Sequence, residues 1–166
     1  MDFVPNDIQK INRSQWLTFL DRTPTTLTPT WEVLGVGVTE FAVEYNPQVD
    51  TEKWIIEDNA RSDHSANEKQ GSVTQKTYKG DKLFEFVAEG RDQLNYITHI
   101  LDIDRWNGDN DGNYPAKMTN GKIVITSVMG ENSEIEYDIY YDGDATIGYV
   151  TFAGSIPTFH EGYPSI

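Results

Sequence analysis

The chain has 166 residues, a formal net charge of −14 and no cysteine. That length fits one domain with a real core, since a chain of about 150 residues buries roughly 70% of its unfolded surface. The missing thiols exclude disulfide frameworks, zinc–thiolate and iron–sulfur sites and cysteine nucleophiles, and an isoelectric point near 4.4 sets the surface against phosphate backbones.

No run approaches the roughly 18 apolar residues of a membrane-spanning helix, and Met1–Lys10 has acid early and no apolar stretch, so a protein assembled in a cytoplasm and not in a membrane is expected. The acid is unevenly placed. No Lys or Arg follows Lys122, while Glu131, Glu134, Glu136, Asp138, Asp142, Asp144 and Glu161 all do. Simple solubility explains such a surplus as well as a dedicated function does.

Residues 1–30 read as an N-terminal arm. Ile8 and Ile11 have helical spacing, Trp16, Leu17, Phe19 and Leu20 form an apolar cluster, and Thr23–Thr30 holds two prolines that keep it extended or turned. Residues 31–153 read as the body. Trp31–Tyr45 has strand alternation, with Gly35 and Gly37 marking a bulge, and Asn46-Pro47 ends it. Thr51–Glu57 is expected as a short strand centred on Trp54, Ile55 and Ile56. Residues 58–71 then read as a long solvated loop and Ser72–Tyr78 as the next strand, so the pair suggests a projecting hairpin.

Asp81 is expected to cap a helix over about 81–92, with Leu83, Phe84 and Val87 on one buried stripe and Arg91 and Leu94 beyond. Asn95–Ile103 reads as strand, with Ile97, His99, Leu101 and Ile103 sharing a face, and Arg105–Tyr114 as a polar turn. Lys122–Met129 and Ser133–Tyr141 read as a hairpin. In its second strand Ile135, Tyr137, Ile139 and Tyr141 face one way and Glu134, Glu136, Asp138 and Tyr140 the other. Asp142-Gly-Asp144 is expected to turn the chain before a last strand, Thr146–Phe152, and residues 154–166 read as a C-terminal tail. The sum is a mainly β fold, a β-sandwich or barrel-forming sheet with one flanking α-helix.

Chemistry-bearing patterns are few. Asp109-Asn-Asp-Gly-Asn113 resembles the start of a calcium loop, but Tyr114 and Asn120 stand where such a loop needs glycine and glutamate, so a plain turn is the better reading. His64, His99 and His160 lack metal-site spacing, with His99 expected to pack in its strand and His64 on the solvated loop. There is no nucleophile elbow and no phosphate loop, and acid pairs are too abundant to single out a hydrolase pair. No catalytic residue, metal or cofactor is expected. An aromatic platform for carbohydrate or a receptor is the rival reading for an acidic β-domain, although Tyr137, Tyr141, Phe84 and Trp54 all fit buried faces.

One set of motifs, in order, is more specific. Ile11-Asn-Arg-Ser14 is followed by Pro29-Thr-Trp31, Gly37-Val-Thr39, Tyr45-Asn-Pro-Gln-Val49, Thr51-Glu52 and Trp54-Ile55. Tyr78-Lys-Gly-Asp81 then opens the helix with Phe84, Phe86 and Arg91, and Tyr114-Pro-Ala-Lys117, Lys122–Val128, Tyr141-Asp-Gly-Asp144 and Gly148–Phe152 close the series. Over residues 11–152 the chain resembles the tail tube (major tail) proteins of siphophages and prophages of Gram-positive bacteria. It departs from them at Lys82 and Ala145, where the family often has proline after Gly-Asp.

The resemblance implies a virion structural protein without catalytic residues, assembled in the host cytoplasm. Six copies would form a ring, and rings would stack into the channel through which phage DNA passes without specific binding. Tape measure, tail tip and tail terminator proteins would be its partners. Physically, ring closure removes sheet edges that a lone domain would expose. The loop with Asp58, Arg61, Asp63, His64, Glu68 and Lys69 is then the candidate inter-ring contact, and Glu134, Glu136 and Asp138 the candidate acidic wall of the lumen.

Overall fold

The computed structural model describes residues 8–164. Ten strands and one helix follow in chain order: β1 (Trp16–Asp21), β2 (Trp31–Val33), β3 (Val38–Glu44), β4 (Pro47–Glu52), β5 (Arg61–Asn67), β6 (Gln70–Lys76), α1 (Lys82–Glu89), β7 (Tyr96–Asp104), β8 (Tyr114–Ser127), β9 (Glu134–Ala153) and β10 (Ile156–Glu161). Single 3-10 turns, Arg13–Gln15 and Arg105–Asn107, precede β1 and follow β7. The chain is mainly β, a curled half-barrel sheet with one flanking helix. The main sheet runs β2-β1-β7-β8-β9-β6-β3, every neighbour antiparallel, with β10 added beside β9. β4 and β5 form a separate two-stranded ribbon. Among the described residues no helix is long and apolar enough to cross a membrane.

Alternation puts apolar side chains on both faces of the sheet. Leu20, Ile100, Ile123, Ile135, Tyr137, Ile139 and Val73 share one buried cluster with Leu83, Phe86 and Val87 of α1. Phe19, Leu101, Ile103, Ala116 and Val150 form a second cluster, capped by Trp31, Tyr114, Phe152 and Phe159. Asp81 caps α1 by accepting the Leu83 amide at 3.2 Å. The helix ends at Gly90, where any Cβ would strike the Tyr96 ring. The Tyr96 hydroxyl donates to the Phe86 carbonyl at 2.7 Å.

Several expectations are corrected. The cluster at residues 16–20, expected within the N-terminal arm, belongs to the body. It is β1, paired with β7 and β2, with Leu20 fully buried. Residues 22–30 close a loop onto the buried Asp21 carboxylate, which accepts the Thr23 and Thr30 amides at 2.9 Å and pairs with His99 Nδ1 at 2.8 Å. The part of the arm before residue 8 lies outside the described residues. The expected strand 31–45 is two strands, broken at Gly37, whose φ of +73° packs it beneath the Lys76 carbonyl and the Tyr78 ring.

On the helix, Leu83 and Val87 are buried as expected, but Phe86 takes the third buried place. Phe84 is half-buried and Leu94 is exposed. Ile97 is exposed because the covered part of its face begins only at Leu101. Asp142-Gly-Asp144 does not turn the chain. β9 continues through it for 20 residues, with a bulge opposite Thr119 that Gly143 accommodates at φ +78°. The residues expected as a tail include β10, which needs Gly148 opposite it, because a Cβ there would collide with the His160 carbonyl.

Candidate functional site

Three surface features are unsatisfied in the lone chain: the sheet's edges, the part of one face beyond the second buried cluster, and the β4–β5 ribbon. Among the described residues β2, β3 and β10 each pair with a strand on one side only, leaving three edges able to accept another strand.

The uncovered face is built by alternation in β9. Glu134, Glu136, Asp138 and Tyr140 point away from the core because Ile135, Tyr137 and Ile139 point into it. Register brings Glu40 and Glu44 of β3 and Ser72 and Thr74 of β6 onto the same face. Lys122 and Val124 of β8 join them from the other side. The Ser72 hydroxyl donates to Asp138 at 3.0 Å, and Lys122 meets Asp142 at 3.4 Å. Six carboxylates, Glu40, Glu44, Glu134, Glu136, Asp138 and Asp142, thus share the face with two ammonium groups, Lys76 and Lys122. The β9 acids are legible from sequence. Glu40 and Glu44 join them only through strand order, which no local pattern reveals.

The ribbon differs from its expected form. Residues 58–71 are not one loop, since β5 occupies 61–67, and the expected strand centre Trp54-Ile55-Ile56 is instead the ribbon's tip. Every residue of β4 and β5 is exposed. The Glu57 amide donates to the Trp54 carbonyl at 3.0 Å, so Ile55 and Ile56 are the two corners of a β-turn and are almost wholly exposed. Trp54, expected in the core, is held outside it. Its indole N–H donates to Glu52 at 2.6 Å, and Arg61 lies 4.1 Å over its ring while pairing with Glu57.

Asp58 is at this tip, and Asp63 and His64 lie on β5, where His64 Nε2 meets Asn67 at 2.6 Å. Glu68 is at the base, bonded through its backbone to Asn46. Lys69 is drawn off the ribbon altogether. Its ammonium sits 4.3 Å from the Tyr141 ring centre, 5.1 Å from that of Tyr45 and 3.9 Å from Asp102.

Lys69 and Asp102 stand at the mouth of a groove of about 580 Å³ at the end of the sheet where β7 finishes and β8 begins. Its apolar surface includes Leu17, Phe41, Val43, Ile103, Ala116 and Ile147. Asp102 accepts from the Thr18 hydroxyl at 2.7 Å and the Tyr141 hydroxyl at 3.0 Å. Burial pushes the Asp102 carboxyl up, opposed by the Thr18 bond and by Lys69. Burial also raises the Tyr141 phenol, reinforced by Asp102.

Sequence reasoning missed this groove, because its residues come from six separate segments of the chain. The Asp109 turn holds itself. The Asp109 carboxylate accepts the Asp111 and Asn113 amides at 2.9 Å, which lowers its pKa. Among the described residues no three metal-ligating side chains converge. No family model matches the chain, and no curated protein matches it.

Proposed function

We propose that this chain is a structural subunit of a phage tail tube, a virion protein assembled in the host cytoplasm and not an enzyme. The observation that carries the reading is an antiparallel sheet with open edges at β2 and β3 and an acidic, uncovered part of one face. A lone domain gains nothing from such edges and risks aggregation through them. Joining the β3 edge of one copy to the β2 side of the next would close a ring, six copies by the family resemblance, and would turn one face of every sheet toward a common axis. If the Glu134–Asp138 face lines that axis, each copy turns six carboxylates and two ammonium groups toward the channel, and the net negative wall keeps phosphates from sticking as DNA passes. Tape measure, tail tip and terminator proteins would then meet the ends of the tube.

The experiment is negative-stain electron microscopy of the purified chain over a concentration series, with mass by light scattering. Hollow rings or tubes are expected. A chain that stays monomeric throughout, including when mixed with a tail tip fraction, would sink the proposal and favour the carbohydrate- or receptor-binding reading.

A further inference from the structure

We propose that the groove at the end of β7 and the start of β8 binds a neutral oligosaccharide, with one sugar ring on Trp16, another on Tyr149, and hydroxyls between them held by Asp104 and Asn107. The inference stands apart from the tube reading and does not depend on it. Its physical case begins in the strand register. Trp16 of β1 pairs with Asp104 of β7, and Pro115 of β8 pairs with Tyr149 of β9. Ile103 pairs with Ala116, so Asp104 and Pro115 are neighbours across β7 and β8, and the four residues form one row. A second row beside it is Thr18, Asp102, Lys117 and Ile147. Residues paired across neighbouring strands project from the same face. Further along that face Leu20 and Ile100 are buried with α1, whereas the two rows lie beyond the helix and line the groove.

The first row has an aromatic ring at either end and a carboxylate between. Three strand spacings place Trp16 and Tyr149 about 14 Å apart, a span of about three linked sugar rings. Both rings are backed. Trp16 packs on Trp106 with 5.6 Å between ring centres, and Tyr149 stacks on His160 at 4.8 Å. Trp16 is still 46% exposed. A ring held from behind and open in front loses little freedom when it binds. The C–H face of a sugar ring is apolar and lies flat on such a platform, which leaves the hydroxyls at the rim.

Those hydroxyls need partners. Among the described residues neither the Asp104 carboxylate nor the Asn107 carboxamide is hydrogen-bonded, and both line the groove. Charge selects against an ionic ligand. In a chain of −14, Arg13, Lys69 and Lys117 here balance Asp102, Asp104 and Asp109. A polyanion gains no net attraction in the groove and meets an acidic molecule on its way in, and a polycation is drawn to the acidic sheet face instead. At about 580 Å³ the groove is large enough for a short oligosaccharide.

The purified chain is titrated with maltotriose, cellotriose and tri-N-acetylchitotriose by calorimetry and tryptophan fluorescence, with trigalacturonate as the anionic comparison. At least one neutral trisaccharide is expected to bind with a dissociation constant of about 0.1–1 mM and to shift the tryptophan emission, with trigalacturonate about tenfold weaker. Trp16→Ala and Tyr149→Ala are each expected to weaken binding about tenfold, while Trp16→Phe retains most of it and Trp54→Ala, on the ribbon, leaves it unchanged. Asn107→Ala lies at an exposed turn where the fold tolerates it, and is expected to weaken binding about threefold. No binding of any neutral trisaccharide at about 10 mM overturns the proposal. So does trigalacturonate binding as tightly as the neutral sugars, or binding that Trp16→Ala and Asn107→Ala both leave unchanged. Tubes without saccharide binding would overturn the saccharide site alone. Binding by a chain that never forms tubes would keep the site and remove the tube reading.

Discussion

The Tyr137 hydroxyl donates to the Gln75 side-chain carbonyl at 2.7 Å, both residues being almost wholly buried. The Gln75 amide in turn donates to the Val36 carbonyl at 3.0 Å and to the Asp81 carboxylate at 2.9 Å, the same carboxylate that caps α1. One glutamine therefore ties the sheet core, the β2–β3 connection and the helix N-terminus together. Buried polar groups left without partners cost more than the bonds they lose. Gln75→Leu is expected to destabilise the fold by about 2–4 kcal/mol, and Tyr137→Phe by about 1–2 kcal/mol, in urea denaturation. Equal small effects would show that the network contributes little.

Asp21 does for the N-terminal loop what Gln75 does for the helix. Its carboxylate holds both ends of residues 23–30 and orients His99. Asp21→Ala is expected to cost about 2–4 kcal/mol and to open the loop to trypsin at Arg22 while the rest of the chain stays protected. Unchanged cleavage would mean that the prolines alone hold the loop.

Asp102 gives a pH dependence of known sign. Burial raises its folded pKa, so its protonated form is the one the fold prefers. Its contribution is fully present below the unfolded carboxylate pKa and is lost as pH rises through the raised folded value. The stability of wild type minus that of Asp102→Asn should therefore be larger at acid pH than at neutral pH, measured by denaturation of both proteins in parallel. A difference that grows toward neutral pH would show that Lys69 and the Thr18 and Tyr141 bonds outweigh burial.

The acidic face can be located in an assembly by labelling. Glu136 is exposed and makes no ion pair among the described residues, so Glu136→Cys should change stability by no more than about 0.5 kcal/mol. A small maleimide is expected to label it in free and assembled protein, and a bulky polymer maleimide only in free protein. Labelling of assembled tubes by the bulky reagent would place the face outward and end its role as a channel wall.

What could be read from sequence depended on whether local pattern and tertiary environment agree. The β9 alternation and the Asp81 cap are local, and both stand as expected. β4 and β5 were illegible because both of their faces meet solvent, so no apolar period marks them. β10 was hidden by Pro157 and its flanking glycines, although an added strand beside β9 tolerates them. Asp142-Gly-Asp144 has turn chemistry, yet β8 runs on beside it and converts the turn into a bulge. The groove and the full acidic face depend on strand order, which sequence periodicity does not encode.

The placement of β1 has a consequence for how the chain reaches this structure. β8 and β9 are neighbours in sequence and pair along nearly their whole length, so they are able to zip early. β1 pairs with β7 across about 80 residues, and Thr18 bonds to Asp102 over a separation of 84. During synthesis the first strand is made long before its partner, and its apolar residues must wait unpaired until β7 emerges. Closure of β1 onto β7 is therefore expected as the late, slow step of folding, and the waiting strand as the segment through which nascent chains misassociate.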